Sequence, residues 1–219
     1  MTEKTKAVLY YIHDPMCSWC WGFRRSWDQM REALSATVTV IHVVGGLAPD
    51  SEVPMPIEQQ RAIAGYWEII SRKTGAEFNF DFWTNCQPRR STYPACRAVL
   101  AAAKQQAELE MIDAIQIAYY LHARNPSDSS TLVTLAGELG LDVSQFTEHL
   151  GSTEIQTTLE ENFALSRKLA VAGFPSLVLA WGASTFPIPV DYQSHQTGLD
   201  RIASLLESFE QSSHISSAE

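Results

Sequence analysis

The chain has no apolar run approaching the roughly 20 residues that a membrane helix needs. It has no basic stripe either: 16 Lys and Arg are scattered among 25 Asp and Glu, for a net charge of −9. Phosphate backbones are held by clustered positive charge, so nucleic acid is not an expected partner, and neither is a membrane. The six histidines show no HxxxH or related metal-ligand spacing, and internal repeats are missing. Only four cysteines occur in 219 residues, too few for a disulfide framework. Near the N-terminus, the apolar stretch Ala7 to Ile12 is too short for a signal-peptide core and no small-residue cleavage site follows it. These absences lead us to expect a cytoplasmic protein. At 45% hydrophobic and 10% aromatic, the chain can bury a core without staples. The length suits one large domain or one domain with a big insertion, and the acidity serves solubility.

Ala7 to Ile12, "AVLYYI", reads as a strand buried on both faces and is broken by Asp14-Pro15. A helix is expected from about Ser18 to Ala36, with Phe23, Trp27, Met30 and Leu34 as its apolar stripe. "TVTVIHVVGG" reads as a second buried strand, which makes a βαβ unit with parallel strands. Residues 48–150 read as mostly helical. Pro56 sits at a first helical position and Gly75 at a stop; further helices are expected over 90–106, 108–123, 131–139 and 143–149. "FNFDFW" is ambiguous. Thr153 and Gln156 suggest a capping box for a helix running to Val171, ended by Gly173. A strand "FPSLVLAW", an edge strand "STFPIPV" and a helix from Leu199 to Phe209 complete the pattern, before a polar tail expected to fray. The order is β-α-β, a helical block, then α-β-β-α. Without the block, this is a mixed four-stranded sheet with helices on both faces.

Within "IHDPMCSWCWGF", Cys17 falls at the expected first turn of a helix. Unpaired N–H groups and the helix dipole there favour an anion, an environment that lowers a thiol's pKa toward the range of about 3.5–7.5. Cys20 lies one turn further along on the apolar stripe, where burial opposes ionisation. The asymmetry suits two roles: Cys17 attacks a substrate disulfide, and Cys20 resolves the mixed disulfide. A CxxC after a buried strand inside a βαβ unit is a thioredoxin-like redox signature. A zinc site would need two further ligands; Cys86 and Cys96, ten residues apart, form no recognisable knuckle, so no metal is expected.

"AGFPSLVL" places Pro175 at the start of a strand, where proline is tolerated. Residue chemistry alone does not select a cis Phe174–Pro175 bond.

"DPMCSWCWGF", "STYPACRAVLAA" and "AGFPSLVL", in this order, resemble the DsbA-like thioredoxin family, and within it the FrnE-like branch of dithiol-disulfide isomerases. The similarity covers about residues 7 to 210. It implies an α/β thioredoxin fold with a large inserted α-helical domain: 1–47 plus 151–219 as the thioredoxin-like part, 48–150 as the insert. It also implies that Pro175 is cis and faces the CxxC, and that Phe174 and Pro175 bind an extended substrate beside Ser18 and Trp19. The Ser18-Trp19 dipeptide departs from the Pro-His of the strongly oxidising periplasmic members, so a less oxidising couple is expected.

His13 and Asp14 are candidate acid/base groups or plain turn residues. Trp19 and Trp21 are candidates for an apolar rim. Cys86 and Cys96 are either buried thiols or a second redox pair. The expected activity is thiol-disulfide oxidoreductase or isomerase, on a disulfide- or thiol-containing protein or small molecule, by a monomer or homodimer. No cofactor is expected beyond a redox-active Cys17–Cys20 disulfide, with glutathione as a candidate reductant. The alternatives are a glutathione-linked enzyme of the kappa-transferase or 2-hydroxychromene-2-carboxylate isomerase type, whose members use serine where Cys17 stands, and a non-catalytic, chaperone-like binding module.

Overall fold

The computed structural model describes residues 7–216. Strand β1 (Ala7–His13), helix α1 (Ser18–Ala33) and strand β2 (Val38–Val44) form the opening unit. Then come α2 (Ile57–Thr74), α3 (Phe82–Asn85), α4 (Tyr93–Ala103), α5 (Glu108–Tyr120), α6 (Ser129–Glu138) and α7 (Val143–Leu150). The chain returns through α8 (Thr153–Lys168), β3 (Ser176–Trp181), β4 (Ser184–Ile188) and α9 (Gln196–Ser216).

The sheet order is β2-β1-β3-β4. β1 and β2 are parallel, from Ala7 opposite Val38 to His13 opposite Val44. β3 runs antiparallel to β1, with Ile12 opposite Ser176, and β4 runs antiparallel to β3. This is a thioredoxin-like sheet, and β1 is an inner strand.

Alternation along β1 distributes its side chains between two layers. Leu9 and Tyr11 pack with Phe23, Trp27 and Met30 of α1 and with Ile202 and Leu205 of α9. Ile12 turns the other way, to Val43 and Val178. The stripe read from α1 is therefore what seats that helix on the sheet. The helical block has its own core around Trp67, Val99, Met111, Ile115 and Phe146. Ile155 and Leu159 of α8 join that core, so the returning helix bridges block and sheet.

Several expectations needed correction. β2 is an edge strand, not a doubly buried one: Thr39 and Ile41 are exposed, and burial alternates along it. The cap of α8 is Ser152, whose hydroxyl accepts from Ile155 N at 3.2 Å; Ser152 is extended, whereas Thr153 already lies inside the helix. That helix stops at Lys168, short of Val171, and Ala170 takes a left-handed conformation (φ 54°) just beyond it. α1 likewise ends at Ala33. The polar stretch expected to fray after Phe209 continues α9 to Ser216, and residues 217–219 lie outside the described residues. "FNFDFW" resolves into irregular chain and the short α3.

Candidate active site

The parallel βαβ geometry delivers the end of β1 and the start of α1 to one edge of the sheet, and β3 begins beside them because it runs antiparallel. The loop between β1 and α1 is tied by Asp14. Its carboxylate accepts from Met16 N (2.8 Å), Leu47 N (2.7 Å) and the Thr92 hydroxyl (2.7 Å), with the Cys96 thiol at 3.7 Å. Its backbone carbonyl accepts from Cys17 N at 3.0 Å. Burial pushes the Asp14 carboxyl above its usual range, against these donors, which pull it down. One buried side chain thus joins the cysteine loop, the exit of β2 and the start of α4.

Cys17 is the N-cap residue of α1, in an extended conformation (φ −81°, ψ 115°). Its thiol donates to the Phe174 carbonyl at 3.6 Å. The Phe174–Pro175 peptide is cis, and Pro175 is buried. The Phe174 ring lies against Gly45, where an added Cβ would stand 2.1 Å from ring carbons. Cys20, one turn into α1, is fully buried. Burial first, then the hydrogen bond and charge of Cys17, push the Cys20 thiol well above its usual range. All four cysteines are unbridged thiols.

Ser18 and Trp19 are half-buried beside Cys17. Trp19 meets Tyr192 edge-on at 5.3 Å, and the Lys73 ammonium stands 5.5 Å from each ring. Trp21 instead faces the block, stacking on Tyr120 at 5.4 Å and donating to Glu77 O at 2.9 Å. His13 is fully buried, stacks on Tyr11 at 4.9 Å and has no hydrogen-bond partner for either ring nitrogen among the described residues. Burial, and then His42, lower its pKa to about 3, so it is neutral at pH 7. Cys86 donates to Ala123 O at 2.9 Å while Cys96 turns to Asp14, so the two thiols face different oxygens.

Sequence reasoning gathered Cys17, Ser18, Trp19, Cys20, Phe174 and Pro175, and the structure brings them to one sheet edge. It missed Tyr11, Thr92, Tyr192 and Lys73. Tyr11 was accessible in principle, since β alternation puts it on the face of Leu9, beneath the helix that carries Cys20. The other three come from distant segments with no local signature.

A thioredoxin-like sheet with a dithiol at the first turn of α1, facing a proline-led strand, is the fold of the DsbA-like disulfide oxidoreductases. The chain belongs to the DSBA-like thioredoxin domain family, whose model matches residues 9–207. A solved structure from Nitrosomonas europaea, provisionally described as a protein disulfide isomerase, is 30% identical with a TM-score of 0.81, over 93% of this chain and 98% of that one. The cytosolic disulfide reductase DsbM from Pseudomonas aeruginosa shares the fold at 24% identity and TM-score 0.72, over 93% and 98%, and has also been solved with GSH. The ClpXP adapter protein SpxH of Bacillus subtilis is 23% identical over 80% of this chain, which spans 58% of that relative's length. Among the described residues, no helix is long and apolar enough to cross a membrane.

Proposed function

We propose that this protein is a cytoplasmic thiol-disulfide oxidoreductase working in the reducing direction, with Cys17 as nucleophile and Cys20 as resolving thiol. The observation that carries the reading is the placement of Cys17. Cys17 is the N-cap residue of α1, beside first-turn N–H groups of the kind that favour an anion, and its sulfur lies 3.6 Å from the Phe174 carbonyl just ahead of β3. A substrate segment laid along Phe174 and Pro175 would bring its disulfide to that sulfur. Ser18 and Trp19 flank the approach.

Cys17 sulfur attacks one substrate sulfur; the S–S bond breaks and one substrate thiolate departs. Cys20 then attacks Cys17, forming the Cys17–Cys20 disulfide and releasing the second substrate thiol. A thiol reductant restores the pair. Glutathione fits that role on its chemistry, and a structural neighbour has been solved with it. Of the two roles open to Asp14, its donors favour anchoring the loop over exchanging protons. His13, neutral and without access to water, supports the wall behind the site.

The test is reduction of a disulfide-containing model protein with glutathione as electron source. Cys17→Ser should abolish it, and Cys20→Ser should accumulate a mixed disulfide visible by mass under non-reducing conditions. Full activity in Cys17→Ser would overturn the assignment.

A further inference from the structure

Resolution poses a problem that the dithiol alone does not solve. Cys20 must lose a proton, yet it is fully buried and its pKa is pushed up. Asp14, whose charge acts on Cys20, already holds four donors.

Behind Cys20 lies a cavity of about 30 Å³, lined by Cys20, Tyr11, His42 and Gln116 among others. A space of that size holds about one water, provided polar groups line it. Arg24, Asp28, Arg31 and Asp113, all partly exposed, share its wall, so it leads toward solvent. The strand register explains the grouping: Tyr11 and His42 are direct partners across β1 and β2, and both face α1. Tyr11 shares the wall of this cavity with Cys20, and the charge of each bears on the other. Its ring is held between Trp27 at 4.3 Å and His13 at 4.9 Å. The His42 side chain is 8% exposed; Nδ1 stands 3.8 Å from Glu108, and Nε2 is buried with no partner among the described residues.

We propose that the Tyr11 hydroxyl, a water in this cavity and His42 form the route by which the Cys20 proton leaves during resolution. The proposal rests on the dithiol reading above. Burial pushes the Tyr11 phenol well above its ordinary range, so it stays protonated and acts as a relay. As Cys20 S–H gives its proton to the phenol oxygen, the phenol passes its own proton through the water to His42 Nε2, and His42, which stays neutral overall, gives up its Nδ1 proton toward Glu108 and solvent. The Cys20 electron pair forms the bond to Cys17 sulfur, the Cys17–substrate bond breaks, and the departing thiolate keeps that electron pair and takes a proton from solvent. His13 shares the aromatic stack but does not line the cavity, and it takes no part. The charged groups around the route are Arg24, Asp28 and Arg31 on α1 and Glu108 and Asp113 on α5.

The test uses the full reduced chain and 5,5′-dithiobis(2-nitrobenzoate), an aromatic disulfide that releases a coloured thiolate. Attack by Cys17 gives the first equivalent, and resolution by Cys20 gives the second. In Tyr11→Phe, which keeps the ring stack, the ratio of second-phase to first-phase rate should fall at least tenfold at pH 7. The deficit should shrink as pH rises and hydroxide replaces the relay; a purely structural defect would persist at every pH. His42→Phe should lower the ratio about threefold. Wild-type ratios in both variants, or a deficit independent of pH, would overturn the route. Absence of the first phase in the wild-type protein would instead overturn the dithiol reading. Should Tyr11→Phe not fold, the wild-type second phase in heavy water decides: a slowing of twofold or more with a curved proton inventory is expected, and no slowing refutes the relay.

Discussion

Cys17 and Cys20 are one helical turn apart, and their surroundings are opposite. On the Cys17 side the groups are more open and most come from remote segments: the Phe174 carbonyl at the entry to β3, and Lys73 at the end of α2 and Tyr192 after β4, which meet over the neighbouring Trp19. Around Cys20 the groups are closed and come from packed elements: Tyr11 on β1, with Trp27 on α1 and His42 on β2 against its ring. On the dithiol reading proposed above, the two halves of a thiol exchange would fall to different surroundings: substrate capture to the rim, and resolution to a compartment built from packed elements. Damage to the closed side should therefore appear as lost stability, and damage to the open side as weaker capture.

The largest effect is expected at Asp14, where the two sides are joined. Asp14→Ala would strand the Met16 and Leu47 N–H groups and the Thr92 hydroxyl inside the protein. At roughly 1–3 kcal/mol for each buried group left unpaired, with partial relaxation, a loss of about 4 kcal/mol is expected in urea unfolding. Asp14→Asn, which keeps an acceptor oxygen, should lose less. Equal, small losses in both variants would show that the loop is held by something other than this carboxylate.

Next is acid sensitivity of the closed side. His13 and His42 are held near pKa 3 and 4 in the fold, chiefly by burial, against 6.5 when exposed. The unfolded chain therefore binds more protons between these values. Their contribution to stability is complete above pH 6.5 and is lost as pH falls toward 3. Asp14, whose folded pKa is raised, works in the opposite sense: its contribution is present below 3.8 and is lost as pH rises. For His13 alone, moving from pH 7 to pH 4 should cost about 3 kcal/mol. His13→Phe keeps the ring against Tyr11 and should flatten that slope in urea titrations at the two pH values. An unchanged slope would mean that His13 is not the acid-labile group.

A smaller effect is expected where the closed side touches the rim. Gly45→Ala puts a methyl into the space of the Phe174 ring, which must swing away. Overpacking of this kind costs about 1–3 kcal/mol. Disulfide reduction should fall more than stability does, because the displaced ring belongs to the segment that carries the Phe174 carbonyl. If activity falls only in proportion to folded protein, Phe174 has no part in the rim.

The same contrast explains what could be read from the residues beforehand. The closed side follows local rules: period two along β1 and the helical stripe through Cys20, Phe23, Trp27 and Met30. Strand, helix, thiol pair and parallel pairing were accordingly legible. The helical block was visible as amphipathic segments, and Pro56 and Gly75 do bound α2. The rim depends on which remote segments arrive together. Nothing near Lys73 or Tyr192 hints at a meeting over Trp19. β2 misled because its β-branched run suits a buried strand and an edge strand alike; only the sheet order separates them. Asp14 could be seen as a turn residue, but its link to Thr92 and Cys96, about 80 positions away, is tertiary.

The smallest expected effect tests the rim alone. Lys73 is exposed and stands over Trp19 and Tyr192, which meet edge-on beneath it. Exposed cation–π contacts contribute about 0.5–1 kcal/mol, so Lys73→Gln should leave urea stability within that margin. The lysine also places a positive charge beside the approach to Cys17 in a chain of net charge −9. Substrates carrying carboxylates near the disulfide should feel it, glutathione disulfide included. Expected is a two- to fivefold rise in KM for an acidic disulfide with kcat unchanged, no rise for a neutral one, and a difference that fades as salt screens the charge. A rise shared equally by acidic and neutral disulfides would make Lys73 a packing residue on the aromatic pair. In that case the open side would discriminate by shape rather than by charge.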